Sequence, residues 1–309
     1  MSRGATSALL FLAWILQIKQ TRAQEVDLDT LLGVGQQWVQ QNIDPKFLQS
    51  LPAVDESVAK QWLKRIQDRL EGESFEDLEL LKPVALQILP WIEQDESLRP
   101  YAPWLRSRLN YFEVAQELNS LHIRPPTGTT HSPLVRRVNP STNAQRVAWD
   151  RVIALEPWPE GAKRFVPILK QIFKAEKVPT GLVWLAEIES SFDPKARSPA
   201  GAAGLFQLMP TTAKGRGLSL FPFDERYNAE KNTRASAQYL NQLHRQFHDW
   251  PLALAAYNAG PSTVQKLIAR HRATRFETLA PYLPVETRMY VPKFEAILQR
   301  REGRSLLML

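Results

Sequence analysis

The stretch from residue 179 to residue 210 constrains the fold more than any other part of the chain. It combines an apolar helical stripe, a carboxylate at the end of that stripe and a glycine-rich loop. Pro179 suits the first turn of a helix. Leu182, Leu185 and Ala186 then lie in line with Glu189 at positions i, i+3, i+4 and i+7. The spacing therefore predicts that Glu189 points inward, against apolar side chains.

Burial would raise the pKa of Glu189. An apolar environment disfavours the charged form of a carboxyl group, so its pKa rises and it can hold a proton near neutral pH, as a general acid must. A glutamate on an apolar face can also be a structural residue, hydrogen-bonded at the end of a helix. Its neighbour Glu187 lies about 200° round the same helix. The two acids therefore cannot act as a pair on one face.

The loop that follows favours the chemical interpretation of Glu189. Asp193 precedes Pro194, which disfavours helical backbone before it, so we expect the helix to end there with Asp193 as a cap. Residues 198–204 then contain two glycines, which permit close approach to the main chain. Such a loop beside a buried acid suits a flat, polyhydroxylated ligand. The residues next in line to contact that ligand are Phe206, Gln207 and Met209.

Composition predicts an all-α protein with two helical domains. Nine Trp and 23 Pro suit helices joined by abrupt corners, and 13 Gly is a low count for an all-β chain. Residues 24–123 form an acidic helical segment of unknown role, with 9 basic and 17 acidic residues, and the turn-rich residues 124–143 resemble a linker. Residues 144–309 form the second predicted helical domain, which contains Glu189. The segment from residue 124 to the C-terminus has 27 basic and 15 acidic residues. Such a surface could meet nucleic acid, an anionic membrane or an acidic cell-wall polymer, or be solvated without a partner, and an export signal would favour the polymer.

The first 23 residues are typical of a signal peptide. Arg3 precedes an apolar run from Ala8 to Ile18, which is too short for an ordinary membrane span, and Ala23 offers a small residue for cleavage. We therefore expect export to the periplasm, with membrane attachment only if this segment stays uncleaved. The sequence contains no cysteine, which excludes disulfides, thiol nucleophiles and a lipid-anchor cysteine.

Four short motifs in a fixed order carry a family resemblance. They are Glu189-Ser190, then GLFQLMP at 204–210, AYNAG at 256–260 and ETRMYV at 286–291. Together they resemble the catalytic domain of the soluble lytic transglycosylase superfamily, which shares a lysozyme-like helical fold with goose-type lysozyme. The Leu-Pro before the last motif and the Pro-Lys after it are similar to the membrane-bound lytic murein transglycosylase D branch. The resemblance covers roughly residues 166–296.

The resemblance implies a peptidoglycan lytic transglycosylase. It would cleave the β-1,4 bond between N-acetylmuramic acid and N-acetylglucosamine and form 1,6-anhydro-muramic acid, with Glu189 as the sole acid and base. The residues that it implies around the saccharide are Ser190, Gly204, Phe206, Gln207, Met209, Tyr257, Asn258, Glu286 and Tyr290. Two alternatives stay open: a goose-type lysozyme that hydrolyses the same bond, and a non-catalytic scaffold that binds peptidoglycan.

We expect glycan strands of peptidoglycan as the partner, other cell-wall proteins as partners of the N-terminal segment, and no cofactor. His244 and His248 are spaced i, i+4, but the glutamate of the zinc-protease motif is missing between them, so we predict a solvated helix face and no metal. Basic residues are scattered along the chain, so we expect no nucleic-acid binding.

Overall fold

Helices joined by short turns make up the fold. A computed structural model describes residues 56–72, 75, 78, 81–120 and 140–309. The α-helices are α1 Glu56–Leu70, α2 Leu81–Gln94, α3 Ala102–Ser120, α4 Thr142–Leu155, α5 Ala162–Ala175, α6 Leu185–Ser190, α7 Pro210–Gly215, α8 Ala229–Phe247, α9 Trp250–Ala259, α10 Pro261–His271, α11 Phe276–Leu279 and α12 Val285–Glu302. Short 3₁₀ turns occupy Arg99–Tyr101, Thr180–Trp184, Glu225–Tyr227, Ala280–Tyr282 and Leu306–Met308.

The predicted all-α class is confirmed. Over the described ranges there is no β-strand, and Ala203 makes only isolated bridges with Arg197 and Leu208. None of the helices placed by the structure is long and apolar enough to cross a membrane.

Helix α12 lies at the centre of the fold. Its side chains are buried along almost the whole length, and it packs against α4 and α9. Several of these buried residues are polar or charged, which is costly unless each finds a partner. They are Glu286, Thr287, Arg288, Lys293 and Arg301. Helix α12 therefore carries the polar groups of the interior as well as part of the core.

The N-terminal helices share this core. Trp104, Leu105 and Phe112 of α3 are buried in the same hydrophobic cluster as the side chains of α12, and α3 packs against α4 and α6. Residues 54–309 form one compact unit. The prediction of a separate helical domain over residues 24–123 is therefore not confirmed.

Two predicted boundaries fall largely beyond the described part of the chain. The signal peptide at residues 1–23 lies outside it, as do residues 124–139 of the predicted linker at 124–143. Helix α4 begins within the end of that linker, at Thr142, where the Ser141 hydroxyl accepts a 3.2 Å hydrogen bond from the Ala144 amide.

Candidate active site

Glu189 lies near the end of a short, buried helix. The sequence predicts one continuous helix from Pro179, but the structure divides this segment into a 3₁₀ turn at Thr180–Trp184 and the six-residue helix α6. The aligned apolar residues are nonetheless fully buried, and the Glu189 side chain lies among them with only 5% of the residue exposed. The predicted inward orientation is therefore confirmed.

Burial dominates the acidity of Glu189. It raises the pKa from 4.5 to about 7, although Arg108 and a hydrogen bond from Tyr290 both act to lower it. The Tyr290 hydroxyl donates to Glu189 Oε1 over 2.6 Å. The carboxylate of Glu286 acts in the other direction and raises this pKa. Glu189 can therefore hold a proton, and release it, near neutral pH.

The two nearby acids have other partners. Glu187 faces away from Glu189 and accepts two hydrogen bonds from Arg301, at 2.8 and 3.1 Å. Asp193 accepts a 2.8 Å hydrogen bond from the Lys195 amide, which is the turn-capping role that its position before a proline predicts. Neither carboxylate is placed to act together with Glu189.

Glu189 opens onto a cavity of about 610 Å³. Of the predicted site residues, those that line it are Glu189, Gln207, Met209, Tyr257, Asn258 and Glu286. Met209 is 41% exposed at the rim. The Tyr257 hydroxyl donates to the Phe206 carbonyl over 2.7 Å, and Asn258 Oδ1 accepts from the Thr287 hydroxyl over 2.6 Å. The structure thus brings residues of three separate motifs together around one carboxyl group.

Three predicted contact residues are buried away from the cavity and need correction. The Phe206 ring lies in the core, 5.5 Å from that of Phe173, and offers no face to a sugar. The Ser190 hydroxyl donates to the Leu205 carbonyl over 2.8 Å, which fastens α6 to the following loop. Gly204 lies against the Arg226 backbone and is not in contact with the cavity. At φ +84°, a Cβ at this position would lie 2.0 Å from the Arg226 carbonyl oxygen.

Tyr290 acts on the site through Glu189. Its side chain is fully buried and lies outside the cavity lining, so it reaches the site only by the hydrogen bond to the carboxylate. The prediction that Tyr290 contacts the saccharide is corrected accordingly.

Two downstream side chains hold the glycine-rich loop in place. Asn232 accepts from the Phe206 amide over 2.9 Å and donates to the Ala203 carbonyl over 3.2 Å. Arg226 donates to the carbonyls of Gly201 and Leu208, at 2.7 and 2.9 Å. These contacts satisfy main-chain groups that the loop conformation leaves without helical partners. The loop is thereby fixed beside Glu189.

Sequence reasoning missed the contribution of the N-terminal helices to this cavity. The cavity is also lined by Gln67, Glu71, Trp104 and Arg108, which lie far before the recognised motifs in the sequence. Nothing in the local pattern of α1 or α3 marks these residues, because their role depends on long-range packing.

The sequence predicts a solvated helix face for His244 and His248, and the structure has His248 exposed but His244 half-buried. The His244 ring stacks on that of Trp250 at 4.1 Å, and His248 ends α8 with a positive φ of 53°. Within the described ranges, no group of three or more His, Cys, Asp or Glu side chains could hold a metal ion.

Comparisons with known proteins identify part of the chain. Residues 167–279 match the family described as Transglycosylase SLT domain. Over 130 residues the chain is 40% identical to Membrane-bound lytic murein transglycosylase D of Escherichia coli, covering 40% of this chain and 28% of that protein. It is also 31% identical over 163 residues to Soluble lytic murein transglycosylase of E. coli, covering 46% of this chain and 25% of that protein.

The match therefore spans about a quarter of the length of these curated relatives. A crystal structure of the 70 kDa soluble lytic transglycosylase of E. coli aligns with 82% of this chain and 44% of its own, at 19% identity and a TM-score of 0.42. The predicted resemblance to the soluble lytic transglycosylase superfamily is confirmed by the family match and by these relatives.

Proposed function

We propose that the transglycosylase SLT domain makes this chain a peptidoglycan lytic transglycosylase. The observation that carries the proposal is the position of Glu189. This buried carboxyl group of the matched domain has a pKa of about 7 and opens onto a cavity of about 610 Å³. The matched relatives are named lytic murein transglycosylases, which supports the same substrate class. The bond cleaved would be the β-1,4 bond between N-acetylmuramic acid and N-acetylglucosamine.

In the first step, protonated Glu189 donates its proton to the glycosidic oxygen. The bond from that oxygen to C1 of muramic acid breaks, and positive charge develops at C1 and the ring oxygen. Glu189 is now a carboxylate beside this charge. The N-acetylglucosamine leaves with its hydroxyl restored.

In the second step, the same carboxylate accepts the proton of the C6 hydroxyl of muramic acid. The C6 oxygen bonds to C1 and closes the 1,6-anhydro ring, which returns Glu189 to its protonated form. Water is not consumed. Because the nucleophile belongs to the substrate, its effective concentration at C1 is high and no second carboxylate is needed to activate water.

The surrounding contacts suit a residue that must both give and take a proton. The hydrogen bond from Tyr290 stabilises the carboxylate and fixes its orientation. The carboxylate of Glu286, which also lines the cavity, is bound to Arg108 at 2.8 Å. It is therefore held as an ion-pair partner rather than as a free base for water.

Digestion of purified peptidoglycan tests the proposal. We expect the full chain to release soluble muropeptides that end in 1,6-anhydro-muramic acid. Glu189→Gln should lower the rate by about 10²–10⁴-fold, the usual contribution of a general acid and base. The exposed Glu160→Gln serves as the matched control and should retain the wild-type rate. Full release by Glu189→Gln would instead support a non-catalytic role for this residue.

The proposed substrate also places the protein outside the cytoplasm. We propose a periplasmic location, supported by the predicted leader at residues 1–23 and by the naming of the relatives as murein enzymes. Cell fractionation with antibody detection tests it. Recovery in the cytoplasmic fraction would contradict the proposal.

A further inference from the structure

An arginine from outside the matched domain reaches the catalytic cavity. Arg108 belongs to α3, whereas the family match begins at residue 167. Only 4% of Arg108 is exposed, and the side chain lines the cavity wall together with Glu189. The sequence predicts no role for the N-terminal segment, and the position of Arg108 in the cavity lining indicates one for α3.

The guanidinium of Arg108 joins the two helices that carry the site. Its Nη2 donates to Glu286 Oε1 of α12 over 2.8 Å, and its Nη1 donates to the carbonyl of Ile188 in α6 over 3.3 Å. Ile188 directly precedes Glu189. A second bond from Nη1, 2.7 Å to the Ser107 hydroxyl, fixes the guanidinium on its own helix. The Trp104 ring packs beneath it, 5.3 Å from its central carbon.

A purely structural ion pair would be an expensive way to hold α3 in place. Burying two charges costs several kcal/mol per ion before their attraction is counted, and apolar pairs of similar size are often as stable. Arg108 and Glu286 also both line the cavity, next to Glu189. These features favour a role in the chemistry of the cavity that the pair lines.

We propose that Arg108 is a positioning residue of the active site, which holds Glu286 in place and balances its negative charge beside Glu189. Helix α3 is then part of the catalytic machinery and not a separate module. The inference rests on the proposed function, because there Glu189 must act first as an acid and then as a base, and Arg108 would affect both steps. It is carried by the geometry of α3, α6 and α12.

The electrostatic consequence has a definite sign. The positive charge of Arg108 lowers the pKa of Glu189, and the negative charge of Glu286 raises it. Without Arg108, the effect of the Glu286 charge on the pKa of Glu189 would be opposed less, by the hydrogen bond from Tyr290 and the charge of Lys293. Glu189 would then donate its proton less readily, whereas its carboxylate would accept a proton more readily. The charged and titratable groups that surround it are Arg108 and Tyr111 of α3, Tyr257 of α9, and Glu286, Tyr290 and Lys293 of α12.

The test measures the titration of Glu189 directly, without substrate. The full chain is labelled with ¹³C at glutamate side-chain carboxyl groups, and the Glu189 resonance is assigned by its loss in Glu189→Gln. Arg108→Met should raise the pKa of Glu189, Glu286→Gln should lower it, and the double variant should return it towards the wild-type value. A pair too distant or too well screened to act on Glu189 predicts no such opposite shifts. Arg108→Lys, which keeps the charge, should move the pKa less than Arg108→Met.

Arg106→Met provides the matched control. Arg106 lies two positions away on α3, but its salt bridge with Glu93 is on the surface, so its loss should leave the titration unchanged. If Arg108→Met does not fold, Glu286→Gln still decides, because it should lower the pKa of Glu189 whereas the charge-conserving Arg108→Lys should leave this pKa close to the wild-type value. Shifts of the same sign for Arg108→Met and Glu286→Gln, or no shift in either, would overturn the proposal.

Activity measured over pH then separates this inference from the proposed function. The upper pH limit of peptidoglycan digestion should move in the same direction as the measured pKa of Glu189, with about a tenfold change in the ionised-to-protonated ratio for each unit. Opposite NMR shifts without any anhydro-muramic product would contradict the proposed function and leave the positioning role of Arg108 intact.

Discussion

Replacing Glu189 by glutamine should stabilise the fold, and increasingly so as the pH rises. The unfolded chain releases this proton at an ordinary pKa of 4.5, whereas the folded chain holds it until about 7. Between these values the folded state binds more protons than the unfolded state, so the free energy of unfolding falls as the pH increases. The contribution is fully present below pH 4.5 and is lost as the pH passes the folded-state pKa.

The structure sets the size of this effect. The interval between a pKa of 4.5 and one of about 7 corresponds to roughly 3 kcal/mol at 1.36 kcal/mol per unit. Glutamine has no proton to lose, so the variant lacks this term. The stability difference between Glu189→Gln and wild type should therefore grow by roughly 3 kcal/mol between pH 4.5 and pH 8. Burial lowers the pKa of Lys293 to about 7, so this residue also titrates in the same range. Because it does so in both proteins, its contribution to the pH dependence of stability largely cancels in the comparison.

Urea unfolding of both proteins at a series of pH values measures this difference. Coincident transitions by fluorescence and circular dichroism establish two-state behaviour before free energies are compared. Glu160→Gln, which changes an exposed glutamate, should follow the wild-type curve at every pH. A constant difference between Glu189→Gln and wild type across this range would refute the burial argument, because it would mean that Glu189 titrates as an ordinary glutamate.

Three further substitutions test the contacts around this residue. Gly204→Ala should lower the free energy of unfolding by roughly 3 kcal/mol or more, because a positive φ and a steric clash combine. Its control Gly201→Ala, at φ +90° with open space around it, should lower it by about 1–2 kcal/mol. Equal losses for the two variants in urea unfolding would refute the clash. Tyr290→Phe should raise the pKa of Glu189 and extend activity to higher pH, and an unchanged pH profile would contradict this. Ser190→Ala should cost about 1–3 kcal/mol in thermal unfolding, since a buried carbonyl loses its donor; an unchanged midpoint would exclude the role in fastening the loop.

Local patterns in the sequence predict the individual helices well. In α5, Phe165, Leu169, Ile172 and Phe173 follow helical spacing and are buried, because one apolar face must pack on the core. Ile168 follows the same helical spacing but lies at the edge of the apolar face and is 43% exposed. The sharing of one core by α3 and α12 depends on contacts between residues far apart in sequence. No local pattern records such packing, so a change of charge and a turn-rich segment suggested two domains.

The site was predictable where burial follows from periodicity. The apolar residues in line with Glu189 predict its environment even though the segment is partly 3₁₀, because both helix types keep these side chains on the inner side here. Phe206 shows the opposite case. An aromatic residue beside a predicted cleft can stack on a sugar or fill the core, and packing against Phe173 decides for the core. Arg108 had no sequence signal, since its partner Glu286 is 178 positions away.

Isotope analysis of the reaction products tests the central claim most directly. Peptidoglycan is digested with the full chain in H₂¹⁸O, and the released muropeptides are examined by mass spectrometry. If Glu189 serves as both acid and base, the muramic ends are lighter than hydrolysed ends by one water and carry no ¹⁸O. Reducing muramic ends that contain ¹⁸O would contradict the account and show that the chain hydrolyses the bond as a lysozyme does.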